Sequence, residues 1–164
     1  MLKKNDEIYL TVKSCTVQGS GVCDHDGMTV FVRGAVTGDR VLAHIIKVKK
    51  TYAVGIIKKL VQRSPMRAKN FCPIAEKCGG CCFAHIKYES ELEIKAQQVA
   101  DNFKRLGKLE ITPAPIIPSP SAERYRNKAQ YPVGSDGRFA TIGFYAPMTH
   151  RIIDCADCLL RPKE

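Results

Sequence analysis

The chain has 164 residues, 45% hydrophobic and 26% charged, the balance of a folded domain and not of a disordered tail. A formal net charge of +10 and a pI of about 9.3 point to a polyanionic partner. The chain contains no run of about 18 apolar residues, and MLKKNDEIYL lacks an apolar signal core, so the expectation is a cytoplasmic protein without a membrane span.

The charge is uneven: residues 1–63 carry 11 Lys/Arg against 5 Asp/Glu, whereas 64–110 carry 8 against 6 and 111–164 carry 7 against 5. Within the basic segment Ile8, Leu10 and Val12 alternate with Tyr9, Thr11 and Lys13, the period of a half-buried strand. Gly19-Ser20-Gly21 makes a turn, and Asp26-Gly27 signals a hairpin before the strand 28–32. After Gly34 and Gly38-Asp39, residues 41–48 and 52–60 read as two more strands around Lys49-Lys50-Thr51. About five short strands without a helical pattern fit an OB-like five-stranded β-barrel, an architecture that often binds nucleic acid on one face.

Ser64-Pro65 breaks this pattern and sets a boundary between a domain 1–63 and a second domain 64–164. From Tyr88 the period becomes about 3.6, with Tyr88, Leu92, Ala96, Val99, Phe103 and Leu106 on one stripe of an amphipathic helix. Glu91 and Lys95 form a favourable pair, and Gly107 suits the position just past the helix end. The proline-rich 111–120 reads as a connector. Strands are expected over 125–133, 138–145 and 151–154, the first two joined by a hairpin loop at 134–137. The whole is a mixed β/α chain, a barrel followed by a small α+β domain.

Eight cysteines in a chain read as intracellular favour metal or redox chemistry over disulfides. Cys72, Cys78 and Cys81 have the spacing C-x5-C-x2-C, and Gly79-Gly80 offers the conformational freedom, including positive φ, for two thiolates to converge. A fourth thiolate must come from elsewhere, the tail offers Cys155-x2-Cys158, and four cysteine sulfurs suit either Zn²⁺ or a [4Fe–4S] cluster. Cys82 adjoins Cys81 and is read as a non-ligand, Cys15 and Cys23 as buried small hydrophobes, and His85 as a packed surface residue in preference to a ligand.

These features resemble the N-terminal part of the RNA uracil-5-methyltransferases that carry an iron–sulfur cluster. The stretch from Val41 through Pro65 to CPIAEKCGGCCFAHIKYESELEIK is similar to the family's join between a TRAM domain, an OB-like RNA-binding barrel, and its cluster loop. The resemblance spans essentially the whole chain and implies a [4Fe–4S] cluster on Cys72, Cys78, Cys81 and Cys158, since Ile152-Ile153-Asp154 matches the short strand before the family's distant ligand. Arg33 stands where the family has proline, Cys82 where glutamine is common, and Cys155 is an additional cysteine. The family transfers a methyl group from S-adenosylmethionine to C5 of a uracil taken out of its stack. By resemblance the partner is structured RNA, 23S rRNA, with no DNA or membrane, and the chain is a monomer. A Rossmann-like catalytic domain of roughly 200 residues, the site of S-adenosylmethionine, would have to follow Glu164. The 164-residue chain is therefore expected to be inactive alone.

For RNA, Lys47, Lys49, Lys50, Lys58 and Lys59 crowd the last two barrel strands, with Tyr52 as a stacking ring. Arg126 and Lys128 share one parity of the expected strand 125–133, with Arg124 just before it; the similar Tyr125–Lys128 stretch lies near RNA in the family. Two other readings fit the same residues. One is a stand-alone RNA-binding protein with a four-cysteine metal site and no catalysis, and the other a ferredoxin-type redox protein, which leaves the basic barrel unexplained.

Overall fold

The computed structural model describes residues 1–135 and 137–163, so Asp136 of the expected 134–137 loop lies outside the described residues. They form two compact units, Met1–Ala68 with His85–Ile116 and Lys69–Ala84 with Ile117–Glu164. The helix thus groups with the N-terminal strands. Among the described residues there are nine strands and one helix, so the chain is mostly β. No helix is long and apolar enough to cross a membrane among the described residues.

The first unit holds β1 (Glu7–Thr11), β2 (Ser14–Cys15), β3 (Ser20–His25), β4 (Met28–Arg33), β5 (Arg40–Val48) and β6 (Tyr52–Gln62) in one curled sheet of order β1-β5-β6-β4-β3-β2. Strand β4 runs parallel to β6, and the other pairings are antiparallel. The first expected strand is broken in two. At the break, Val12 N–H donates to the Asp39 carbonyl (2.9 Å) and Lys13 N–H to the Val22 carbonyl (2.8 Å). One run of chain thereby meets β5 on one side and β3 on the other, which is why six strands stand where five were expected. Ladder irregularities at Arg40/Val41, Leu42/Ala43 and Ile45/Lys47 insert extra residues in the β5–β6 pair and increase its curl.

Strand alternation fills the inside of this curl. Val30, Val32, Val41, Ala43, Ile45 and Ala53 are fully buried. Each such Val or Ile contributes about 1.5–3 kcal/mol of burial. Cys23 is buried among them as a small hydrophobe, and burial pushes its thiol up to about 12, whereas buried Cys15 accepts the Thr37 N–H at its sulfur (3.4 Å).

Past β6 the chain is pinned before it leaves the unit. Ala68 N–H donates to the His85 carbonyl (3.0 Å) and Lys87 N–H to the Met66 carbonyl (2.9 Å). The excursion 69–84 therefore starts and ends at one hydrogen-bonded base. The helix α1 (Tyr88–Gly107) follows, with Glu91 and Lys95 paired as expected. Its buried residue is Ile94, off the expected stripe, and Gln98 Nε2 donates to the Cys15 carbonyl at 3.2 Å. Tyr88, Leu92 and Ala96 are half-buried, but Val99 (42%), Phe103 (43%) and Leu106 (82%) are exposed. The stripe serves the core only over its first half. Lys108, not Gly107, takes the left-handed cap (φ 54°), and Leu109 N–H closes back on the Phe103 carbonyl.

The second unit holds β7 (Val133–Ser135), β8 (Ala140–Tyr145) and β9 (Ile152–Asp154), an antiparallel sheet of order β7-β8-β9. The strand expected over 125–133 shrinks to β7. The reason is that its backbone groups are engaged elsewhere: Arg124 N–H donates to the Leu159 carbonyl and Arg126 N–H to the Leu160 carbonyl, both at 2.8 Å. Strand parity then no longer decides which side chains point inward. Tyr125, expected inward, is 56% exposed, and Val133 is 67% exposed. Tyr131 does pack, with its ring 4.9 Å from that of Phe144.

Candidate metal centre and basic surfaces

The cysteine loop is a chain of turns. Ala75 N–H donates to the Cys72 carbonyl (3.2 Å), and Lys77 and Cys78 both donate to the Ile74 carbonyl (3.0 and 2.8 Å). Gly79 N–H then docks on the Tyr145 carbonyl at the end of β8 (3.0 Å). The expected need for positive φ at Gly79-Gly80 is not met, since neither is among the positive-φ glycines. What Gly79 supplies is close approach: a Cβ there would sit 2.9 Å from the Tyr145 carbonyl oxygen. Gly80 N–H points at the Cys78 sulfur (3.3 Å).

The C-terminal pair is held from β9 onward. Cys155 N–H donates to the Ile142 carbonyl of β8 (3.1 Å), and the Cys158 carbonyl accepts from Arg161 N–H (2.9 Å). Arg124 grips the same turn. It forms a two-pronged ion pair with Asp157 (2.6 and 2.7 Å) and donates to the Cys158 and Arg161 carbonyls (3.3 and 3.0 Å). The hydrogen bonds from Arg124 hold the Asp157 carboxyl below its ordinary range.

Among the described residues, Cys72, Cys78, Cys81, Cys155 and Cys158 line one pocket of about 40 Å³, walled by Phe71, Ile74, Phe144, Leu159 and Leu160. The structure therefore brings the loop cysteines and both tail cysteines together within the second unit. Cys82 is exposed and outside this lining. Burial pushes the Cys81 thiol up, neighbouring Cys78 and Cys158 push it the same way, and the charge of Arg126 opposes them. Burial likewise pushes Cys155 up to about 11, followed by the neighbouring Cys158, Cys72 and Cys78. Thiols that are costly to ionise in water-poor surroundings bind metal only by giving up their protons to solvent. No group of three or more His, Cys, Asp or Glu side chains is arranged to hold a single metal ion among the described residues.

His85, the histidine nearest the loop in sequence, is not in the pocket lining. Its Nε2 is buried without a hydrogen-bond partner among the described residues. Burial, and then the charge of Arg67, lower its pKa.

Of the residues expected to meet RNA, Lys47, Lys49, Lys50 and Lys59 are exposed on β5, β6 and their connecting turn. Lys58, the extra residue at one β5–β6 irregularity, is held by both carboxylate oxygens of Glu7 (2.6 and 2.7 Å). Tyr52 stands edge-on to Phe31, with ring centroids 5.7 Å apart. In the second unit Lys128 is exposed, whereas Arg126 also lines the cysteine pocket and Arg124 is committed to the C-terminal turn. Sequence reasoning missed the Arg124–Asp157 clamp, whose partners lie 33 residues apart with no local signal. It also missed Arg161, which hydrogen-bonds the Tyr131 hydroxyl (3.0 Å) and lies over its ring at 5.2 Å.

The described residues thus define a mostly β protein whose second unit gathers soft sulfur donors under apolar walls. Proteins similar to it in sequence are named RNA methyltransferases. No protein-family model matches the chain. A Halalkalibacterium halodurans protein named as an uncharacterized RNA methyltransferase is 38% identical over 164 residues, covering 99% of this chain and 36% of the relative. Similarly named proteins of Clostridium tetani (37% over 163 residues, 99% and 35%) and Listeria monocytogenes (38% over 164 residues, 100% and 36%) match in the same way. The chain spans about a third of the length of these curated relatives. Among solved structures, the fold is that of part of the Pyrococcus abyssi tRNA (uracil-54, C5)-methyltransferase, determined with S-adenosyl-L-homocysteine. That likeness has a TM-score of 0.61 at 24% identity, covering 94% of this chain and 33% of the other.

Proposed function

We propose that this chain is the RNA-recognition and iron–sulfur part of an S-adenosylmethionine-dependent RNA uracil-5-methyltransferase of the 23S rRNA type. The observation that carries the reading is similarity at 37–38% identity along nearly the whole chain to proteins named RNA methyltransferases. The strand order β1-β5-β6-β4-β3-β2, with β4 parallel to β6 and the first strand split between two neighbours, supports an OB-like barrel of the TRAM kind.

The pocket fits an iron–sulfur cluster on the chemistry of its donors. Five cysteines line one apolar cavity, and a backbone N–H is aimed at the Cys78 sulfur. A single tetrahedral ion would draw four sulfurs to within about 3.8 Å of one another, from bonds of about 2.3 Å. A four-iron core takes one thiolate per iron and spaces them more widely. Cys72, Cys78, Cys81 and Cys158 would hold the cluster, which supplies a structural crosslink between the loop 72–81 and the tail after β9. Exposed Lys47, Lys49, Lys50 and Lys59, with Arg126 and Lys128, supply positive charge for RNA phosphates. Methyl transfer belongs to a following domain that binds S-adenosylmethionine.

The test is to express the full reading frame and the 164-residue chain side by side under anaerobic conditions. The full product should transfer labelled methyl groups from S-adenosylmethionine to uracil C5 in 23S rRNA. The shorter chain should bind the RNA and transfer none. A full product that binds RNA and holds metal but never methylates would leave the stand-alone RNA-binding metalloprotein.

A further inference from the structure

The pocket holds one thiol more than a four-iron core can use. Three positions fall to Cys72, Cys78 and Cys81 of a single loop, yet both Cys155 and Cys158 line the same cavity. The two belong to a C-x2-C turn through Ala156 and Asp157, and each end is anchored. Cys155 is tied to β8 by its N–H to the Ile142 carbonyl, and Cys158 is tied by the donors to its own carbonyl, Arg161 N–H and the Arg124 guanidinium. The Arg124–Asp157 clamp sits between them and holds the turn. Neither thiol has to cross the protein to reach the cavity. Cys82, the neighbour of Cys81, is exposed and outside the lining, so proximity in sequence alone does not place a thiol there.

We propose that Cys155 is a resident replacement ligand: Cys158 completes the cluster, and Cys155, which lines the same pocket, takes over its position when Cys158 is lost. The inference rests on the iron–sulfur reading above. The exchange is redox-neutral. Cys155 would give up its thiol proton to solvent and hold the position that Cys158 leaves, with no change of oxidation state. The consequence is a cluster that survives damage to its C-terminal ligand, the one contributed from outside the loop.

The experiment uses the full-length protein purified without oxygen, as wild type, Cys155→Ala, Cys158→Ala and the double variant, with circular dichroism to check folding. Each single variant should keep about four irons per chain, as the wild type does, and the double variant should fall below it. Iodoacetamide with peptide mapping gives a second readout. Cys155 should react slowly in the wild type and not at all in Cys158→Ala, while exposed Cys82 reacts fast in both. Wild type with four irons and either single variant as depleted as the double would overturn the replacement role. So would a Cys155 that stays reactive in an iron-replete Cys158→Ala. A wild type without iron would instead remove the cluster reading itself, and this inference with it.

Discussion

The guanidinium of Arg67 donates from Nε and Nη2 to the carboxylate of Asp39 at 2.6–3.0 Å, and Asp39 is fully buried. The same carboxylate accepts the backbone N–H of Val36 (2.7 Å) and of Ser64 (2.9 Å), while Arg67 Nη2 also reaches the Gly34 carbonyl (2.7 Å). One ion pair thus ties the β4–β5 turn to the chain leaving β6. Removing one partner leaves a buried charge uncompensated, which costs about 3–5 kcal/mol. Arg67→Ala and Asp39→Ala should each lower unfolding free energy by that order in urea titrations. A loss under about 1 kcal/mol would show that the pair is dispensable.

His85 predicts a direction with pH. Its pKa is lowered in the fold, so the unfolded chain binds the proton more readily. Stability therefore rises with pH from the lowered folded value up to the ordinary 6.5, and is lost as pH falls through that window. His85→Phe should flatten this limb of the stability curve. An unchanged limb would assign it to other groups.

For the metal centre, Cys72→Ala, Cys78→Ala and Cys81→Ala should each deplete iron and bleach the brown colour of anaerobic protein, because the loop carries no spare thiol in the pocket lining. Cys82→Ala should retain about the wild-type four irons. Stoichiometric zinc without iron in all preparations would replace the cluster with a single-ion site.

The two basic residues near the tail should separate by function. Lys128→Glu should weaken RNA binding and reduce the slope of log affinity against log salt by about 1, without touching metal content. Arg126→Glu should do the same to RNA and also lower iron retention, because Arg126 lines the thiol pocket. Lys58→Glu, whose charge is already met by Glu7, should affect RNA less than Lys49→Glu or Lys50→Glu. Equal losses at all positions in filter-binding titrations would point to net charge and not to local contacts.

Gly143 lies opposite Asp154, and a Cβ there would collide with the Ile153 carbonyl. Gly143→Ala should part β8 from β9 at a cost of about 1–3 kcal/mol. Since Cys155 hangs from β8 through Ile142, the same change should raise the rate of iron loss to a chelator. Unaltered iron release would show that the pair Cys155–Cys158 is held without this ladder.

Much of the local structure could be read directly from residue order. Alternation at 8–12 and 28–32, the Asp26-Gly27 turn and the helix start at Tyr88 are short-range properties, set by side-chain period and backbone preference within a few residues. The loop spacing of Cys72, Cys78 and Cys81 is local in the same sense. Tertiary structure decided what depends on distant partners. Residues 125–132 alternate well enough for a strand, but the backbone donors of Arg124 and Arg126 found carbonyls at 159 and 160, and no local pattern encodes that choice. The same holds for the second half of α1, whose apolar stripe is exposed because burial depends on a surface packed against it. It holds above all for the pocket, where the fold brings both Cys155 and Cys158 to the loop thiols and leaves the adjacent Cys82 outside. Sequence alone fixes which residues can bind a metal. Which of them share a cavity depends on contacts across more than 70 residues, whose free energy is only expressed once the chain has folded.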